Sequence, residues 1–227
     1  MKKVLCFLLF ASFITLKVSA QEVEKKDRAF EPSKSIDDFQ LAVDLSIFGY
    51  EHKDALALAQ SAKILLSNPT RDLKPTKSEP SAETTKSEKK SDKPLITDPV
   101  KMLADAKSFA GTDKNLLVIV NNVSTESKTA RGRVNGAAYC DRRVYSQTSY
   151  IDYILFEGGY KAEVAILGDG DNDLDLYIYN SSDELVASDI DYTDRCYTSF
   201  YPRYQGTYKI VVKNRGSVYS DYILMSN

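Results

Sequence analysis

The chain has 227 residues, 43% of them apolar and 27% charged, with 30 Lys/Arg against 32 Asp/Glu. Its slightly acidic balance argues against a nucleic-acid partner, because neutralising phosphates takes grouped cations. One histidine, three cysteines and no C-x-x-C spacing argue against a zinc site and against a Ser-His-Asp or Cys-His device.

The N-terminus reads as a secretory signal over 1–20. Lys2 and Lys3 precede an apolar run from Val4 to Leu16, and Val18-Ser19-Ala20 places small residues ahead of a cut before Gln21. The run is too short for a span of about 20 residues, and no later stretch is longer. The expectation is an exported protein, periplasmic or extracellular, with no transmembrane segment in the mature chain. Export permits a disulfide between the two remaining cysteines, Cys140 and Cys196, the alternative being two buried free thiols. A bridge closing that loop would add about 4 kcal/mol.

Residues 21–34 are polar and are expected to be disordered. A helical hairpin is predicted over 35–69. In its first helix Ser35 can cap, Leu41, Leu45 and Phe48 recur at helical spacing, and Gly49 is placed to end it. The second starts at Asp54 and carries Ala55, Leu58, Ala59, Ala62, Leu65 and Leu66 on one face before Asn68-Pro69. Residues 70–95, rich in Thr, Lys, Ser, Glu and Pro, read as a disordered linker. A helical segment follows over 96–125. It opens on Asp98-Pro99, a cap with proline at the first helical position, and pauses at Gly111. Leu116 to Val120 is β-branched yet helically spaced and is read as helix. Residues 124–142 read as a loop.

Beyond that loop the period becomes two. Ile151, Tyr153 and Leu155 alternate, as do Ala162, Val164 and Ile166; Leu174, Leu176 and Ile178; Tyr208, Ile210 and Val212; and Tyr222 and Leu224. Turn residues separate these runs, the signature of an antiparallel β-sandwich over 133–227. The fold class is therefore α+β: an N-terminal α-helical part, a disordered linker and a C-terminal antiparallel β-sandwich of jelly-roll type. Fourteen of the 15 tyrosines lie from Tyr139 onward. They supply bulk at the core edge, or an aromatic platform for carbohydrate.

Acidic residues gather late, with 12 Asp/Glu against 6 Lys/Arg from Glu157 onward. Asp169, Asp171, Asp173 and Asp175 alternate within one run, and Asp189, Asp191 and Asp194 form a second. A hairpin turning at Ser181-Ser182 sets residue 173 opposite 190 and brings the runs together. Crowded carboxylates repel, and Ca²⁺, a hard cation taking six to eight oxygens, relieves that. These seven aspartates are the candidate metal ligands. The EF-hand pattern fails, because its sixth and twelfth positions, counted from Asp169, hold Leu174 and Asn180. Asp173 and Asp175, about 7 Å apart by strand rise, also have the separation of an inverting glycosidase pair.

The stretch from Asp173 to Asn180, then Glu184 to Asp189, Gly206 to Val212 and Tyr222 to Leu224, resembles the bacterial pre-peptidase C-terminal domain. The resemblance covers roughly 143–227. It implies a jelly-roll β-sandwich appended to exported proteins, some members of which bind calcium and some protein or polysaccharide, with Asp173 and Asp175 at the matching acidic positions. The expected function is a non-catalytic, calcium-stabilised binding or accessory module for extracellular or envelope protein or polysaccharide. The alternative is a secreted glycosidase-like hydrolase using the acidic cluster.

Overall fold

A computed structural model of the chain describes residues 32–81, 95–126, 136–170 and 172–227. The expected signal peptide, residues 21–31 of the expected disordered stretch, residues 82–94 of the expected linker, residues 127–135 and Asp171 lie outside the described residues.

Helix α1 (Lys34–His52) starts earlier than Ser35. Its N-cap is Ser33, whose carbonyl accepts from the N–H groups of Ile36 (2.9 Å) and Asp37 (3.0 Å). Gly49 does not end the helix, which stops at Lys53 in the left-handed region (φ 50°). Gly49 lies instead against Leu58 of α2 (Ala55–Ser67), where an added Cβ would sit 2.6 Å from a Leu58 methyl. The missing side chain lets the two helices cross closely. Asp54 caps α2, accepting from Leu56 N (2.8 Å) and Ala57 N (3.0 Å). Asp98 caps α3 (Pro99–Ala110) in the same way, and Asp113 caps α4 (Lys114–Glu126). The Leu116–Val120 stretch is thus helical.

α1 is apolar on two sides. Ile36, Phe39, Ala42, Val43 and Ser46 face inward, while Leu41 and Phe48, two of the helically spaced apolar residues, stay about half exposed.

Ten strands follow: β1 (Arg71–Asp72), β2 (Lys77–Pro80), β3 (Ala138–Val144), β4 (Ser149–Phe156), β5 (Ala162–Gly168), β6 (Leu174–Tyr179), β7 (Leu185–Asp189), β8 (Arg195–Phe200), β9 (Gly206–Asn214) and β10 (Ser220–Ser226). They form two sheets, ordered β1-β3-β10-β5-β8 and β2-β4-β9-β6-β7, antiparallel except for the β1–β3 pair. The architecture is α+β with a β-sandwich. Between the sheets pack Val164, Ile166, Leu174, Leu176, Ile178, Ile210, Val212, Tyr222 and Leu224. The first sheet is buried on its other face as well. Ala165, Leu167, Ile223 and Met225 meet the inward residues of α1 to α4 in a second core. Every residue of β5 is buried, which explains its near-continuous apolar run. Glu163 ties the layers: its carboxylate accepts from Ser33 N (2.8 Å), at the start of α1, and from the Tyr197 hydroxyl (2.7 Å).

Four expectations change here. Residues 71–72 and 77–80, read as part of a linker, are edge strands. Backbone bonds from Leu73 N to Tyr139 O (2.8 Å) and Thr76 N to Tyr153 O (2.7 Å) hold them, and Leu73 packs on the sandwich core. Residues 138–142, read as loop, begin β3. In β4 the inward residues are Asp152, Ile154 and Phe156, not Ile151, Tyr153 and Leu155. An aspartate at a core position hid the true phase of the strand. Finally, Cys140 and Cys196 are free thiols. They occupy one row of the first sheet, Cys140–Leu224–Ile166–Cys196, with two strands between them. Three strand spacings put them roughly 14 Å apart, about twice the reach of a disulfide. Burial pushes the Cys140 thiol up to about 12 and the Cys196 thiol higher still.

Candidate functional site

The acidic runs meet at one end of the sandwich, by a register that differs from the expected one. The β6–β7 hairpin pairs Leu176 with Asp189 and Ile178 with Ala187, two residues out of step with a Ser181-Ser182 turn. The turn is longer because the Asn180 side chain accepts from Ser182 N (2.9 Å) and Glu184 N (3.0 Å), with Asp183 at φ 59°. Beyond the hairpin, Leu174 N donates to Thr193 O (2.9 Å), which folds the second run beside the first.

The aspartates then divide into two groups. In the first, Asp169 is buried at the end of β5 and accepts from the Ser220 hydroxyl (3.1 Å) and Asp221 N (2.9 Å). Asp194 accepts from Gly170 N (2.5 Å) and lies against Gly168, where any Cβ would run into its carboxylate. The Gly-Asp-Gly segment therefore wraps a carboxylate. Burial raises Asp194 above the usual range, and the Gly170 N–H opposes that. In the second group, Asp175 is buried and paired with Arg215 Nε (2.5 Å) and the Tyr177 hydroxyl (2.9 Å). Asp189 accepts from Tyr197 N (2.9 Å), and Asp191 from Thr193 N (2.9 Å) and its hydroxyl (2.6 Å). Asp173 differs. Its Oδ1 is buried and takes no hydrogen bond. Its pKa is raised by burial, then by Asp175 and Asp191, with Arg215 opposing. The nearby carboxylates of Asp189, Asp191, Asp175 and Asp173 also help hold the buried Cys196 thiol protonated.

As a test of calcium, this donor set divides. Both oxygens of Asp169 are bonded to protein donors, and Arg215 already neutralises Asp175. Among the described residues no three His, Cys, Asp or Glu side chains converge as a metal-binding group. Asp173 Oδ1 is the oxygen that fits a cation, with Asp191 beside it and Asp171 outside the described residues.

The opposite end of the sandwich carries the second candidate. The β4–β5 and β8–β9 loops are clamped together there. Gly159 N donates to Pro202 O (2.7 Å), and Gly158 lies so close to the Tyr204 backbone that a Cβ would come within 2.7 Å of it. The clamp holds Tyr160 and Tyr204 out at 70% and 71% exposure, with Tyr201 also exposed nearby in sequence. Arg203 lies over the Tyr204 ring at 5.4 Å. Tyr160 lines a cleft of about 350 Å³ together with Arg71, Leu155, Glu157, Lys161 and Asn227. Asn227 is fixed across it, donating to Lys161 O (2.7 Å) and accepting from Glu163 N (3.0 Å). The late tyrosines signalled a platform in general terms. Arg71 and Asn227 carried no signal, because they reach the cleft only through the pairing of β1 with β3 and of β10 with β5.

No protein-family model matches this sequence, and no curated protein matches it. Solved structures do match. The chain is similar to a pre-peptidase C-terminal domain. That domain belongs to a collagenase from Bacillus anthracis, at 11% identity and a TM-score of 0.30, over 41% of this chain and 89% of that one. The chain is also similar to PliG of Aeromonas hydrophila, a periplasmic inhibitor of g-type lysozyme, at 12% identity and a TM-score of 0.30, over 40% of this chain and 86% of that one. Among the described residues no helix is long and apolar enough to cross a membrane.

Proposed function

We propose that this is an exported, non-catalytic binding module that grips a polysaccharide at the tyrosine-bearing end of its sandwich. The observation that carries this reading is the exposed Tyr160 ring on a cleft whose walls are mainly polar, with the exposed Tyr204 ring carried by the loop packed against Gly158. A sugar ring offers a C–H face that stacks on an aromatic ring and an equatorial belt of hydroxyls. Arg71, Glu157, Lys161 and Asn227 supply donors and acceptors for that belt, and the cleft is of ligand-holding size. A protein partner at the same end is the competing occupant.

The test is binding to a panel of envelope and extracellular polysaccharides by affinity electrophoresis. Wild type is retarded by at least one of them, and Tyr160→Ala and Tyr204→Ala each weaken the retardation about tenfold, roughly the loss of one stacking contact. Both side chains are exposed, so melting temperatures should be unchanged. Retardation that survives both substitutions would place the ligand elsewhere, and no retardation by any glycan would favour the protein occupant.

A second reading concerns the other end, where the unpartnered Asp173 Oδ1 favours a structural Ca²⁺ held by Asp173, Asp191 and Asp171. The ion would add positive charge where Asp173, Asp175 and Asp191 repel. Calcium at about a hundred times its dissociation constant would add about 2.7 kcal/mol, or roughly 5–10 °C of melting temperature. Asp173→Ala should abolish that rise. Without calcium, Asp173→Asn should be no less stable than wild type, because the raised pKa means that the charged form opposes folding there. Identical wild-type melting in calcium and in chelator would dismiss the ion.

A further inference from the structure

Six arginines fall within the described residues, and four of them are matched to a carboxylate. Arg142 meets Asp152 (2.9 Å), Arg143 meets Asp221 (2.6 Å), Arg195 meets Asp44 (2.5 Å) and Arg215 meets Asp175 (2.5 Å). The other two are Arg71 and Arg203, both exposed, and both lie at the tyrosine-bearing end. Arg71 lines the cleft with Tyr160, and among the described residues its guanidinium donates to the Gly136 carbonyl alone, at 3.4 Å. Arg203 stands between Pro202, whose carbonyl takes the Gly159 N–H, and Tyr204, whose ring it overlies.

The surrounding charge sharpens the contrast. From Glu157 onward acidic residues outnumber basic ones by 12 to 6, so a guanidinium left without a carboxylate is the exception in this sandwich. Lys161, also on the cleft wall, is engaged by the buried Glu163 (3.1 Å). Glu157 alone is acidic among the residues lining the cleft, where it can accept from hydroxyls.

A guanidinium matches a carboxylate with two parallel hydrogen bonds. A uronic-acid residue carries such a carboxylate on the edge of a sugar ring whose face can stack on tyrosine. An anionic lipid surface asks instead for a cluster of about four to eight cations, and this end offers two beside a concave wall. We propose that the polysaccharide gripped at this end is acidic, its uronate carboxylates taken by Arg71 and Arg203. The inference rests on the polysaccharide reading and adds the charge of the ligand to it.

The test is affinity electrophoresis of the full chain in polygalacturonate, alginate and hyaluronan, each beside its carboxyl-reduced form, which keeps the backbone and loses the charge. At least one acidic polymer should retard the protein about tenfold more strongly than its reduced form, the scale of two exposed charge pairs. Arg71→Gln with Arg203→Gln should remove that preference and leave retardation by the reduced form as it was. Arg71→Lys with Arg203→Lys should keep part of it, and Arg143→Gln, at a paired arginine, all of it. Both sites are exposed, and matching melting temperatures check that the variants fold. Equal retardation by acidic and reduced forms, or retardation by neutral glycans alone, would overturn the proposal and leave the polysaccharide reading standing. A preference that survives the glutamine pair would overturn it too, as would stronger binding to phosphatidylglycerol vesicles than to any acidic polymer. Retardation by no glycan, acidic or neutral, would remove both readings.

Discussion

A fragment spanning residues 136–227, the sandwich without its helices, should not fold to a stable monomer. Ala165, Leu167, Ile223 and Met225 are fully buried beneath the helical layer, and Tyr139 and Tyr197 pack at its border. Removing the helices uncovers these side chains together. Each of the three larger ones is worth about 1.5–3 kcal/mol when buried, so the loss is on the order of 5 kcal/mol or more. A domain of this size has only about 5–15 kcal/mol in all. The fragment would also lack β1 and β2, which cap both sheets along one side. Expected results are strong binding of a hydrophobic dye, poor solubility, and a melting transition far below that of residues 32–227, which should unfold in one step. A fragment that melts with the longer chain's midpoint would show the helices to be an appendage.

Arg142→Met should cost about 3–5 kcal/mol, the usual penalty for orphaning a buried charge. Asp152 points into the sandwich from β4 with its side chain 2% exposed. Arg142, reaching across from β3 in the other sheet, meets it with Nε at 3.0 Å from Oδ2 and Nη2 at 2.9 Å from Oδ1. Ser78 of β2 donates to the same carboxylate, so the pair also holds the edge strand. Methionine keeps much of the arginine's apolar stem and leaves the carboxylate unpaired. Pairing Arg142→Met with Asp152→Leu should recover most of the loss, because burying an ion pair is itself costly and an apolar replacement of similar size is often neutral. Urea unfolding of the single and double variants measures both. A single-variant loss below about 1 kcal/mol would mean that Asp152 reaches water.

What the sequence revealed followed from where one physical signal dominated. The caps of α2 and α3 were legible because Asp54 and Asp98 act on N–H groups two and three residues away. β6 was legible because its alternation is uninterrupted, and β5 because its near-continuous apolar run is bounded by turn residues. Strand β4 was read out of phase because its buried aspartate is neutralised by Arg142, ten residues off and in the other sheet. The first two strands were invisible because Lys77 to Pro80 bury nothing apolar, and backbone bonding leaves no compositional trace. The helical spacing of Leu41, Leu45 and Phe48 marked α1 as a helix but not its buried face, because both sides are apolar. At the acidic end, the convergence of two runs could be read from the chain. The protein's own countercharges could not: Arg215 reaches Asp175 through the β9–β10 turn, forty residues along. Nor did the spacing of Cys140 and Cys196 show that two strands separate them.

The most direct test of the binding reading is a two-dimensional amide NMR titration of the full chain with the polysaccharide fragment that retards it. Shift changes are expected at Leu155, Tyr160, Lys161, Tyr204 and Asn227, with the Asp169–Asp175 and Asp189–Asp194 loops unmoved. Changes confined to those acidic loops, with the tyrosine end silent, would contradict it.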